Sequence, residues 1–438
     1  MVGLSAGSAI AVEAHHPTLV DEQSVRADIA LRESIGFRSD IAYVRSLHTA
    51  ADVIQDPGVG AAFTPAEAKE FQVRRDLERD SQTLQSYFAT HPELHDAFAG
   101  ILIDHAAGGY LVLQLVQSHP ARGGLAAHLP HLHHPDRLRI EQVRWSSTHL
   151  HQHKFRISSV AQQYPEIQAV ALDEAKNQVL VVINPADLDI PLGTRVAKDR
   201  LAPNLATLVA DPAVGVWAGP VIRIPSVVRA GQQWNTVNQG VICTLAFEVV
   251  DDGKPSMLTA GHCVKNLNPT TTVYNFTTAI GWYSGVYQYG TGAPSGGVDV
   301  GVLTMSSGST ATDDILQGGT WPTLDVDGAV ESTSYVQGNI RCYRGSQSGR
   351  MCGAITIGSV DFLTPEGGWL RDMFTIDPTN VGGDSGAPMY RAGSSTAQAA
   401  GVLFGGLDIP GSTNGMDTAG SKWHNAANLF GLTVVTTD

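Results

Sequence analysis

Apolar and polar positions change rhythm about halfway along the chain. In the first half, Thr64-Pro65-Ala66-Glu67 reads as a capping box with proline at the first helical position. A helix then runs towards Phe88, with Ala68, Phe71, Leu77 and Leu84 on its apolar side. Ile101-Leu102-Ile103-Asp104, a turn at Gly108-Gly109 and residues 110–116 predict strand, turn, strand. Ala169-Val170-Ala171-Leu172-Asp173, a turn at Lys176-Asn177 and residues 179–183 predict a second hairpin. Two such hairpins predict two related α+β subdomains within residues 31–225. Residues 1–30 read as a leader or irregular N-terminus. Ala11-Val12-Glu13-Ala14 has the small-x-small look of an export-signal cleavage site, but no basic segment precedes it.

Beyond about residue 225 the helical rhythm stops. Short apolar runs at 241–247, 298–305, 354–357 and 400–404 alternate with Gly, Asn, Asp and Pro, which predicts a β-sandwich or β-barrel. One helix is expected at 421–429. Pro212, Gly215, Gly219-Pro220 and Pro225 punctuate the change and read as a domain junction near 210–235. Between the two hairpins lie His128, His131, His133, His134, His149, His151 and His153. His149, His151 and His153 alternate, as on one face of a strand. This stretch reads as a solvated connector, with a pH-responsive element and a metal site as the alternatives.

Composition adds three constraints. A net charge of -14 disfavours nucleic acid as a partner, because an acidic surface repels phosphate. No apolar run reaches the roughly 18–20 residues of a membrane-spanning helix. All four cysteines, Cys243, Cys263, Cys342 and Cys352, lie in the second half, without the C-x-x-C spacing of zinc sites. An even, clustered set fits two disulfides formed in an oxidising compartment.

Three segments carry candidate chemistry. Leu258-Thr259-Ala260-Gly261-His262-Cys263 sets a histidine after an apolar strand. Gly297-Val298-Asp299-Val300-Gly301-Val302-Leu303 sets a carboxylate inside one, where burial calls for a paired donor such as an imidazolium. Gly382-Gly383-Asp384-Ser385-Gly386-Ala387-Pro388 brackets a serine with glycines, which permit backbone geometry that other residues cannot reach. The amides of Gly383 and Ser385 could there converge as an oxyanion hole. A serine hydroxyl needs a base, a histidine can serve, and an aspartate orients the histidine. The order His, Asp, Ser differs from that of the subtilisins and α/β-hydrolases.

Thr259-Ala260-Gly261-His262-Cys263 together with Gly383-Asp384-Ser385-Gly386 resembles the chymotrypsin/trypsin superfamily, over about residues 226–438. The loop from Cys342 to Cys352, enclosing Gly345-Ser346 and Gly349, is similar to the bacterial α-lytic protease/streptogrisin branch. That resemblance implies a catalytic triad of His262, Asp299 and Ser385, disulfides Cys243–Cys263 and Cys342–Cys352, and two six-stranded β-barrels. Phe98 to Asp104 with Gly108-Gly109 resembles the pro region of the same branch more loosely. The expected fold is therefore an N-terminal α+β pro region followed by an all-β double β-barrel, trypsin-like domain. The resemblance implies a secreted, monomeric serine endopeptidase made as a zymogen, acting on polypeptides without a cofactor. Its own pro region would be intramolecular chaperone and inhibitor, the alternative being a permanent accessory domain. A non-catalytic binding protein and an esterase are the alternatives. Thr379, Asn380, Phe404, Gly405 and Gly406 would line the specificity pocket. No acidic residue marks it, so a neutral, apolar or aromatic side chain is expected there. The chain departs from the branch in three ways. It lacks cysteines for a third disulfide, Phe404 replaces a serine that supports the triad, and Tyr343 replaces an arginine. Arg344 or Arg341 is the candidate substitute as partner of Asp384.

Overall fold

The computed structural model describes residues 21–117, 130–184, 194–218, 233–236, 242–275, 278–289, 297–306, 314–315, 323–364, 367–407 and 416–436. His128, the cleavage-like segment near 11–14, and Gly219, Pro220 and Pro225 of the junction fall outside these residues. No described helix is long and apolar enough to cross a membrane.

The first half repeats one local plan. Helix Pro65–Thr90 starts at the capping box, with Thr64 Oγ1 accepting from the Glu67 amide and the Glu67 carboxylate from the Thr64 amide. Leu77, Leu84 and Phe88 then pack on hairpin Phe98–Asp104/Tyr110–Val116, against Ile101, Ile103, Leu111 and Leu113. Strand Leu138–Val143 joins that hairpin in parallel. Helix Ser147–Val160, capped by Ser146, covers hairpin Ile167–Asp173/Gln178–Ile183 in the same way, and Val214–Ala218 is its parallel third strand. Helix, hairpin, parallel strand is the order in both units.

Two readings of this half need correction. The boundary at residue 30 falls inside helix Glu22–Ser34, where Asp21 accepts from the amides of Gln23 and Ser24. Leu31 and Ile35 are buried in a core shared with the second half, so this segment is part of the fold. His149, His151 and His153 lie on helix Ser147–Val160, not on a strand. Leu150, Lys154, Ile157 and Ala161 set its buried side at spacings of four and three, and that apolar period outweighs the histidine alternation.

The second half is β-sheet with two short helices, Gly261–Val264 and Trp423–Phe430. Strands Ile242–Thr244, Gln233–Asn235, Thr272–Asn275, Thr278–Tyr289, Asp299–Met305 and Lys254–Thr259 follow one another in a sheet. Ala246 and Phe247 bond back to Leu258, which closes this sheet on itself. Strands Ile340–Gly345, Gly349–Leu363, Trp369–Ile376, Asp417–Lys422, Thr396–Leu407 and Pro388–Ala392 form a second closed ring, each paired with the next and the last with the first. Closure leaves few free sheet edges. Disulfides join Cys243 to Cys263 and Cys342 to Cys352, the pairing that the resemblance implies.

The halves share a sheet. Ala169, Val170 and Ala171 pair antiparallel with Phe362, Asp361 and Val360, so the second N-terminal hairpin extends the second ring. Buried ion pairs cross the same joint. Arg341 meets Glu78 at 2.8 Å and Lys154 meets Asp361 at 2.7 Å. Burial pushes the Asp361 carboxyl up, but Lys154 and the Asp372 amide outweigh it and hold the group below the usual carboxylate range.

Candidate active site

His262, Asp299 and Ser385 come from three different elements. Strand Lys254–Thr259 delivers the short helix that carries His262. Gly261 and Gly301 let that helix lie on the neighbouring strands. A Cβ on Gly261 would sit 2.1 Å from Gln288 O, and one on Gly301 would sit 2.5 Å from Val264 Cγ2. Asp299 begins strand Asp299–Met305 and has no exposed surface. Its Oδ1 accepts from the His262 amide at 2.7 Å and its Oδ2 bonds His262 Nδ1 at 2.6 Å. Donation of the Asp299 amide to Ser421 Oγ at 2.9 Å fixes the strand start.

Ser385 sits in the turn before strand Pro388–Ala392 and is almost fully buried. Gly386 adopts φ +88°, and a Cβ there would lie 2.3 Å from Thr244 O and 2.4 Å from Thr259 Oγ1, so glycine is required on both counts. Gly383 adopts φ +101°. The turn is tied to the first ring by Thr244, whose amide donates to Ser385 O at 2.7 Å and whose hydroxyl donates to Gly383 O at 2.8 Å. Among the described residues neither the Gly383 nor the Ser385 amide donates to a protein acceptor. The Ser385 hydroxyl donates to the Phe404 carbonyl at 3.1 Å. The Phe404 ring lies edge-on to the His262 imidazole, with centroids 5.6 Å apart, so an apolar edge stands beside the histidine where the resemblance would place a hydroxyl.

Asp384, adjacent to the serine, is fully buried; among the described residues neither Arg341 nor Arg344 hydrogen-bonds it, although the Arg344 guanidinium feels its charge. Asp384 accepts from Ser348 Oγ at 2.5 Å and from the amides of Gln347 at 2.9 Å and Val381 at 3.0 Å. Arg341 is held by Glu78, and Arg344 donates to Gly345 O. Gly345 makes room, since a Cβ on it would overlap the Asp384 carboxylate. Tyr343 donates to Thr379 O at 2.8 Å, and burial pushes its phenol well above the ordinary value.

Of the residues expected in a specificity pocket, Asn380 is buried and donates to Thr418 Oγ1 at 3.0 Å. A Cβ on Gly405 would meet nothing, whereas one on Gly406 would strike Met416 Sδ. Met416, Thr418, Ser421 and Ser348 were not singled out from the sequence. They carry no local motif, and only strand pairing brings 416–421 beside 401–407. Cys243, His262 and Cys263 cluster closely enough for metal ligation, but the disulfide leaves only the imidazole as a donor.

No protein-family model matches the chain, and no curated protein is similar to it. Solved structures that resemble it include Thermobifida fusca protease A, 27% identical, which covers 48% of this chain and 99% of its own at TM-score 0.38. Cellulomonas bogoriensis chymotrypsin is 24% identical over 48% of this chain and 99% of its own, at TM-score 0.37. A Nocardiopsis protease is 22% identical over 48% of this chain and 99% of its own, at TM-score 0.38.

Proposed function

We propose that residues 226–438 form a serine endopeptidase, exported as a zymogen whose first 225 residues are its pro region. The observation that carries this is the His262 imidazole, bonded through Nδ1 to a fully buried carboxylate, with Phe404 touching both it and Ser385, whose turn leaves two amides without a protein acceptor among the described residues. Ser385 Oγ would attack a peptide carbonyl as His262 Nε2 takes its proton. The Gly383 and Ser385 amides would hold the oxyanion. On collapse the C–N bond breaks and His262 returns the proton to the leaving amine. Water, deprotonated by His262, then attacks the Ser385 ester, the acyl C–Oγ bond breaks, and His262 returns the proton to Ser385 Oγ. Asp299 holds the imidazole with Nδ1 protonated and stabilises the imidazolium. No cofactor enters these steps.

In the structure the serine hydroxyl bonds Phe404 O, so attack requires a rotation of the Ser385 side chain towards His262. That resting contact, with the Phe404 ring beside His262, is what favours the second reading, a binding protein on a protease scaffold. Met416 against Gly406, with Asn380 and Thr418 paired to each other, supports a neutral P1 side chain. Two disulfides support an extracellular site of action. The N-terminal hairpin supports an inhibitory pro region, since its Ala169, Ala171, Leu180 and Val182 share one apolar cluster with Phe404 and Leu407.

A fluorophosphonate probe tests this reading. Protein from the culture medium should label on a fragment whose N-terminus lies within 210–235, and Ser385→Ala should abolish the label. Absence of label on folded, processed protein would leave the binding-protein reading standing.

A further inference from the structure

A second cluster of reactive side chains lies away from the serine. His149 and His153 are four residues apart on helix Ser147–Val160, so their rings leave the same face. Asp211 faces them from the loop between helix Pro203–Leu208 and strand Val214–Ala218. Its Oδ1 is 3.7 Å from His149 Nε2 and its Oδ2 is 3.3 Å from His153 Nε2. One donor atom from each residue lies within 4.8 Å of the other two. Ligand bonds of ~2.1 Å in a tetrahedral zinc site separate donor atoms by roughly 3.4 Å, so the side chains already stand at about the spacing an ion requires. Among the described residues His149 Nε2 is buried with no partner at full hydrogen-bond length, its contact with Asp211 Oδ1 being stretched to 3.7 Å, and a buried nitrogen calls for a closer one. Stacking on Trp145, with centroids 4.8 Å apart and planes 10° from parallel, fixes the ring that carries it.

We propose that His149, His153 and Asp211 bind a divalent transition-metal ion, with Zn2+ the best match. Two imidazoles and one carboxylate suit zinc, copper or nickel, whereas calcium and magnesium seek oxygen shells. The ion clamps the helix of the second N-terminal unit to the loop that leads into its last strand. Its role is structural. In a helical histidine pair that supports zinc hydrolysis, glutamate follows the first histidine. Here that position is Leu150, buried in the apolar core, so this helix does not supply that base. Side-chain exposures of 33% for His149, 17% for His153 and 24% for Asp211 leave the cluster open to an ion from solution.

Arg156 competes with the ion. Its Nη2 lies 3.1 Å from His153 Nδ1, and ligation through Nε2 would place the ring proton on that nitrogen. Arg156 must then rely on its other acceptor, Leu208 O at 3.1 Å. Arg156→Gln should therefore tighten metal binding.

The test uses the full chain carrying Ser385→Ala, so it stays intact whether or not the protein is a protease. Calorimetric titration with Zn2+ should show one equivalent bound saturably, and Co2+ should give the visible bands of a four-coordinate site. His153→Ala and the near-isosteric Asp211→Asn should each weaken binding about tenfold or more. His151→Ala should not, because its ring turns back to Ser147 O at 2.8 Å. Nor should His133→Ala or His134→Ala, whose rings bond Asp80 and Asp76. Absence of saturable binding would overturn the proposal. So would binding that survives Asp211→Asn with undisturbed circular dichroism but is lost in the His133 and His134 variants.

Discussion

Both oxygens of Asp299 bond to one residue, His262, through its amide and its ring. Among the described residues no hydroxyl shares that load, and Phe404 presents a ring there. The carboxylate therefore sets the imidazole tautomer almost alone. Asp299→Asn keeps the shape but offers an amide N–H to Nδ1, which selects the wrong tautomer. Hydrolysis should fall by ~10⁴-fold in kcat, the size of loss expected when a triad aspartate becomes an amide, while the thermal midpoint barely moves. A loss smaller than about tenfold would remove Asp299 from the orienting role. Gly386 is the structural counterpart. Its positive φ and the crowding by Thr244 O predict that Gly386→Ala destabilises the turn rather than the chemistry alone.

Helix Pro65–Thr90 presents Glu78 to the second half, and the pair it makes with Arg341 is buried on both sides, at 6% and 0% side-chain exposure. Removing one member of a buried pair strands the other. Glu78→Ala should cost about 3–5 kcal/mol of stability, and Glu78→Ala with Arg341→Met should recover much of it. Denaturant midpoints of the intact chain measure both, and equal midpoints for the single and double variants would contradict the argument. The same pair shows where sequence reading stops. The capping box at Thr64 and the two hairpins were legible because their signals are local. So were the glycines around Ser385, since backbone geometry acts through nearest neighbours. Arg341 was a candidate partner for Asp384, yet it reaches a glutamate 263 positions away. Asp384 instead takes Ser348 and nearby amides, which no charge count reveals. Helix Ser147–Val160 is hard to see in the sequence because three alternating histidines imitate a strand face over the helical spacing of Leu150, Ile157 and Ala161. Its neighbour Asp211 could not be found from the histidines, since only folding brings the loop at 209–213 to that helix.

Across the whole molecule, the joint between the halves carries two groups whose titrations oppose each other. His105 is buried and its Nε2 bonds Gly338 O at 2.7 Å, while Arg74 faces Nδ1 at 3.3 Å. Burial first and Arg74 second lower its pKa from 6.5 to about 4. A depressed pKa means the unfolded chain binds the proton more readily. The stability His105 contributes is complete above about pH 6.5 and is lost as pH falls towards 4, a change of about 3 kcal/mol. Glu174 behaves in the reverse sense. Part of its side chain reaches solvent, but Oε2 is buried without a partner, and burial raises its pKa from 4.5 to about 7. Its contribution is complete below about pH 4.5 and is lost as pH rises towards 7. Both act on the segment at 337–338, since His105 Nε2 bonds Gly338 O and the Gln337 backbone hydrogen-bonds the Glu174 carboxylate. Between pH 4.5 and 6.5 the two slopes therefore offset each other in the parent chain. Relative to it, His105→Gln should lose stability as pH rises through this window, and Glu174→Gln should gain it. Thermal midpoints of the Ser385→Ala chain at half-unit pH steps would read both slopes. Parallel curves for parent and variants would show that neither group senses the joint, and tilts in the same direction would refute the opposed signs.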